Sequence, residues 1–130
     1  MTSTHYDDQI ALDLVRGSQR TVAIHGCEGN ESVAYIGGSD DRLIELITES
    51  LEDIGISVRE APHHISGTQE NNIVNMTQTQ GGVQLELTAQ LRKELFKNRK
   101  SSRKNRENKD NWDDLMYDFA DAMKKAIERA

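Results

Sequence analysis

Apolar residues recur along the chain with two periods, and each period predicts an element. Residues 8–16, DQIALDLVR, set Ile10, Leu12, Leu14 and Val15 in a short helical pattern that Gly17-Ser18 stops. TVAIHG (21–26) and SVAYIGG (32–38) are apolar, rich in β-branched residues and closed by glycine, so both read as strands. Ser39 is placed to cap a helix over DDRLIELITESLEDIG. Its Leu43, Ile44, Leu46, Ile47, Leu51 and Ile54 form one stripe, and Gly55 marks its stop. ISVRE (56–60) alternates as a third strand and VQLEL (83–87) as a fourth, after which TAQLRKELF opens another helix. From about residue 110 to 129, Trp112, Leu115, Met116, Phe119, Met123 and Ile127 return at helical spacing. Asp110, Asp113 and Asp114 stand at the start of that helix and Lys124, Lys125 and Arg129 near its end, as its dipole favours. Strands alternating with helices predict an α/β sandwich on a mostly parallel sheet.

Two segments fall outside the pattern. Residues 61–82 hold the only proline and many Asn, Gln, Thr and Gly around NNIVN. Loops of that length in compact domains carry function or are disordered. Residues 97–106, KNRKSSRKNR, are basic and polar without periodicity. They read as a solvated linker within a basic 97–109 loop, since no aromatic residues are interleaved to stack on bases.

Composition narrows the class. The chain has 130 residues, the size of one domain. Its net charge of −6 argues against general nucleic-acid binding. A single cysteine, Cys27, excludes an intrachain disulfide and points to a reducing cytoplasm. The polar start TSTHYDDQ does not form a signal pattern, and no apolar run reaches the roughly 18 residues of a membrane span.

Candidate chemistry sits at strand ends. His25 closes a strand before Gly26, where open α/β sheets bind ligands, and is a candidate metal ligand or base. In VQLEL, Val83, Leu85 and Leu87 face one way and Gln84 and Glu86 the other. Glu86 is then either a solvated carboxylate or a desolvated one whose raised pKa suits a general base. The adjacent His63-His64 pair, His5, and Cys27 two residues after His25 are weaker donors. Gly37-Gly38 before a helix fits an anion or simply a turn.

TSTHYDD (2–8), VAIHGCEG (22–29), YIGG (35–38), ISGTQENNIVN (65–75) and GGVQLELT (81–88) occur in that order. Together they resemble the poly-γ-glutamate hydrolase family, also called phage-related replication proteins. The match spans roughly residues 2–96, and the C-terminal helix is similar to phage members. The resemblance implies a zinc-carboxypeptidase-like α/β/α sandwich around a mixed, mostly parallel sheet. It also implies one zinc held by two histidines and a glutamate, and hydrolysis of γ-linked amide bonds in an anionic polyglutamate. On that resemblance His25 matches the last zinc ligand, Glu86 the general base, and Asn72 and Asn75 the substrate-binding segment. The family's first two ligands lie in an HxGGIE-type motif upstream of TSTH, so the resemblance implies an N-terminally truncated domain. Met76 stands where the family usually carries arginine. Two readings follow: a zinc hydrolase that needs a missing N-terminal half, or a catalytically inactive prophage remnant or binding module. Either predicts an exposed sheet edge, an exposed apolar face and self-association.

Overall fold

The computed structural model describes residue 4 and residues 7–130. In chain order the elements are α1 (Gln9–Arg16), β1 (Val22–Cys27), β2 (Val33–Gly38), α2 (Asp41–Asp53), β3 (Ser57–Glu60), β4 (Val83–Thr88), α3 (Ala89–Glu94) and α4 (Asp114–Arg129). Short 3-10 turns at His63–Ile65, Ile73–Asn75, Lys97–Arg99 and Lys109–Asn111 fill the connections. The strands form one mixed sheet in the order β1-β4-β2-β3. β1 and β4 run parallel, as do β2 and β3, while β2 and β4 run antiparallel. The expected mixed, mostly parallel α/β sheet is therefore present.

Alternation along β4 divides the molecule. Val83, Leu85 and Leu87 pack with Ala34 and Ile36 of β2, with Leu43, Leu46, Ile47 and Leu51 of α2, and with Phe119, Ala122, Met123 and Ala126 of α4. Leu43, Leu46, Ile47 and Leu51 are essentially inaccessible to water. Each such side chain contributes roughly 1.5–3 kcal/mol of burial. The α2 stripe is thus as the sequence predicts, with Ile44 and Ile54 at its half-buried margins. Gln84 and Glu86 face the other way, and the 61–82 segment covers them.

Three boundaries differ from the sequence expectation. The cap of α2 is Asp40, whose carboxylate accepts from the Leu43 N–H at 3.1 Å. Ser39 instead donates its backbone N–H to Gly82 O. A charged acceptor at the first free N–H outcompetes a hydroxyl one residue earlier. The last helix begins at Asp114, capped by Asp113, rather than near 110. Trp112 precedes it in extended conformation and bridges to Phe96. Its indole N–H donates to Arg106 O at 2.8 Å. The 97–109 segment is an ordered loop with two 3-10 turns, not a structureless linker.

β1 forms one edge of the sheet, and its Ile24 is 54% exposed. On α1, Ile10 and Leu14 are 75% and 68% exposed, and no α1 residue is buried. An exposed strand edge and exposed apolar side chains are what the sequence reading expects.

Candidate active site

The site begins with strand register. β4 lies between β1 and β2, and pairing sets Glu86 directly opposite His25 on one side and Tyr35 on the other. Directly opposed residues share a face, so the imidazole and the carboxylate stand side by side. Both line a pocket of about 270 Å³, together with Thr4, His63, His64, Ser66, Gly67, Gln69, Asn72 and Gln84. Of the two readings of Glu86, the buried one holds: the residue is 7% exposed, on a strand buried along its whole length.

The pocket wall is the 61–82 segment pressed onto the sheet. Gly37 permits this approach, because a Cβ there would lie 1.9 Å from Ser66 O. The contact brings the turn bearing His63 and His64 over Gln84 and Glu86. The Gln84 side chain then joins wall and floor. Its amide donates to Ile65 O at 3.2 Å and lies 3.5 Å from Glu86 Oε1. Its carbonyl accepts from Asn72 Nδ2 at 3.0 Å. Asn72 in turn accepts from the Val74 N–H, which fixes its side-chain oxygen. Asn75 does not reach the pocket. Its amide donates to Gly67 O and Gln69 O, and its oxygen accepts from the Gly82 N–H. It holds the wall in place from behind.

The structure therefore brings together His25, Glu86 and Asn72, adds the His63-His64 pair, and sets Asn75 one layer back. His5 lies outside the described residues. The residue that sequence reasoning undervalued is Gln84. Its signal was present: it lies two positions from Glu86 on the same strand face. Cys27 is disfavoured as a nucleophile. Burial and the Glu86 carboxylate push its thiol up against the opposing pull of Arg92, away from the reactive thiolate.

Burial also pushes the Glu86 carboxyl above the ordinary carboxylate range, while the neighbouring His25 pulls against that shift. The consequence for stability has a definite sign. Between its unfolded and folded pKa values the folded chain holds more protons at this site. The contribution of Glu86 to stability therefore falls as pH rises through that window, and its full cost is present above the folded pKa. His25, Cys27 and Tyr35 from the flanking strands, and His63, His64 and Gln84 around the pocket, are the groups that face it. Glu86→Gln is expected to raise the thermal midpoint at neutral pH, with the gain vanishing below the ordinary carboxylate pKa of about 4.3. Melting curves of both chains across pH check this; a midpoint lowered at every pH would show the ionised carboxylate to be net stabilised.

Zinc needs three or more donors gathered at one point. Among the described residues, no group of three His, Cys, Asp or Glu is so gathered. The described residues therefore supply part of a donor set, with His25 in the pocket beside Glu86. Among the described residues, no helix is long and apolar enough to cross a membrane.

Comparison with known proteins follows the same lines. The family model for poly-gamma-glutamate hydrolase matches residues 1–122. The UPF0714 protein YmaC of Bacillus subtilis (strain 168) is 30% identical over 99% of this chain and 54% of its own length. The SPbeta prophage-derived UPF0714 protein YoqZ of the same organism is 35% identical over 74% of this chain and 36% of its own length. Among solved structures, a bacteriophage poly-gamma-glutamate hydrolase superposes with a TM-score of 0.91 at 31% identity, covering 99% of this chain and 61% of that one. The zinc-free apo form of YNDL superposes at 0.88 and 26% identity, over 98% of this chain and 62% of that one. These matches carry the zinc-carboxypeptidase-like fold that the sequence resemblance implies. The chain spans about half the length, or less, of the curated relatives it matches.

Proposed function

Since this chain belongs to the poly-gamma-glutamate hydrolase family, we propose that its pocket serves hydrolysis of γ-linked glutamyl amide bonds, with Glu86 as general base. One observation carries the reading: a buried carboxylate, paired in register with a histidine, opens onto a polar pocket instead of a packed core. In that role Glu86 takes a proton from the attacking water and returns it to the leaving amine. Gln84 holds the carboxylate in place from the neighbouring position on the strand. Asn72, its amide already committed to Gln84, presents a polar face to substrate, while Asn75 supports the wall. His25 is the described residue best placed to ligate zinc. The metal, when bound, supplies Lewis-acid polarisation of the substrate carbonyl.

A second reading is a hydrolase domain inactive as an isolated chain, motivated by the chain's spanning about half the length, or less, of its curated relatives. One experiment separates the two. The purified chain, stripped of metal and then given zinc, is incubated with poly-γ-glutamate, while new amines and polymer size are followed and bound zinc is counted. The hydrolase reading expects zinc-dependent shortening with about one zinc per chain, lost in His25→Ala. Intact polymer with no retained zinc would establish the inactive reading.

A further inference from the structure

Resting on the polyglutamate reading of the pocket, we propose that the 97–106 loop is a docking site for the polyanionic chain away from the scissile bond. Six of the sixteen Lys and Arg residues fall in this segment: Lys97, Arg99, Lys100, Arg103, Lys104 and Arg106. It contains no acidic residue, whereas ten cations face 22 Asp and Glu elsewhere, a net of −12. A polymer with one carboxylate per unit is repelled by such a body and attracted to such a loop. Charge is thus segregated in a way that an evenly solvated surface would not need.

The loop is built rather than loose. Asn98 and Arg99 take positive φ angles of 52° and 57°. Asn111 Nδ2 donates to Asn105 O, the Trp112 indole to Arg106 O, and Asn105 Nδ2 to Ser102 Oγ. Ser101 and Asn105 turn inward, while all six cationic residues are exposed. None of the bonds holding the loop uses a cationic side chain. Among the described residues, the ion pairs are Arg59–Glu31, Lys124–Glu128 and Arg129–Glu49, which take none of the six. The scaffold spends its amides and indole on shape and leaves the charges outward.

The loop is anchored to the sheet through α3, which follows β4 directly and starts three residues after Glu86; Arg92 of α3 donates to Cys27 O and Leu87 O at the carboxyl ends of β1 and β4. The loop follows α3, whose Leu91 and C-cap Leu95 pack into the core beside Leu85 and Leu87, and it leads back to α4 on that same core. Nucleic acid is the weaker occupant, because no aromatic residue lies within 97–106 and Trp112 is committed to the Arg106 carbonyl.

The test is direct binding of fluorescent poly-γ-glutamate to the full chain. Lys97→Gln, Arg99→Gln, Lys100→Gln, Arg103→Gln and Lys104→Gln are combined in one variant, leaving Asn105, Arg106, Asn111 and Trp112 intact. Wild-type binding is expected to weaken about tenfold or more between roughly 50 and 200 mM salt, and the variant to bind about tenfold more weakly at the lower salt. Arg99→Lys with Arg103→Lys, which keeps charge, should bind as wild type and controls for folding. Polymer that is bound but not shortened by the zinc-supplied wild-type chain would sink the hydrolase reading and leave this one standing. Undiminished binding by the Gln variant would overturn the proposal, as would tighter loop-dependent binding of single-stranded DNA than of poly-γ-glutamate.

Discussion

Glu86→Gln is expected to slow hydrolysis of poly-γ-glutamate by roughly 10²–10⁴-fold in any preparation of this domain that turns over. The substitution keeps shape and hydrogen-bonding capacity, so the contact with Gln84 and the burial of β4 survive. What is lost is the ability to accept a proton. The loss belongs in kcat, with KM little changed, because the amide still fills the space that substrate meets. Glu86→Asp should fall between the two, since it keeps the base but draws it back by one methylene. Gln84→Ala should be milder still, because it removes only the neighbour that orients the carboxylate. Steady-state rates on one polymer preparation, with melting curves to confirm folding, check the series. Equal rates for Glu86→Gln and wild type would remove Glu86 from the chemistry altogether.

Gly37→Ala is expected to be strongly disruptive for a single added methyl near the site. The new Cβ would stand 1.9 Å from Ser66 O and 2.7 Å from Ser66 C, both backbone atoms that cannot rotate away. The wall must retreat by roughly an ångström, and overpacking of this kind costs about 1–3 kcal/mol or more. That corresponds to a drop in thermal midpoint of roughly 5–10 °C in a domain of this size. The retreat also pulls Ile65 O away from Gln84, so rates should fall even where the chain remains folded. Gly55→Ala is the contrast. Gly55 has φ +88° but nothing within 4 Å of an added Cβ, so it reports backbone strain alone. A Gly37→Ala chain no less stable than Gly55→Ala would mean that the wall does not press on the sheet.

The legible parts of this molecule were those governed by periodicity. The α2 stripe, the four strands and the Phe119–Met123 face of α4 follow from spacing, because one side of each meets the same core. The burial of Glu86 was not legible. Alternation in VQLEL states that Gln84 and Glu86 share a face but not what lies over it. The cover is a segment without periodicity, placed by a close approach at Gly37 and by the side-chain bonds of Asn72 and Asn75. The pairing of His25 with Glu86 likewise depends on strand order, which local sequence does not encode. Here the family resemblance supplied what spacing alone left open. Trp112 shows the opposite failure: its place in a helical period was accidental, and its indole serves the loop instead.

The strand order also sets the sequence of events during synthesis. Among the described strands β4 is made after the other three, yet it separates β1 from β2, which never pair with each other. Of the three described strands made before it, only β2 and β3 can form native pairs with each other at once. β1 meets this sheet only when Val83 arrives opposite Val22, and closing so long a loop is slow. The strand that carries Glu86 is therefore the one that joins β1 to the β2–β3 pair. Until then His25 and Glu86 belong to separate parts of the nascent chain, so their pairing and the joining of β1 to this sheet come into being in the same step.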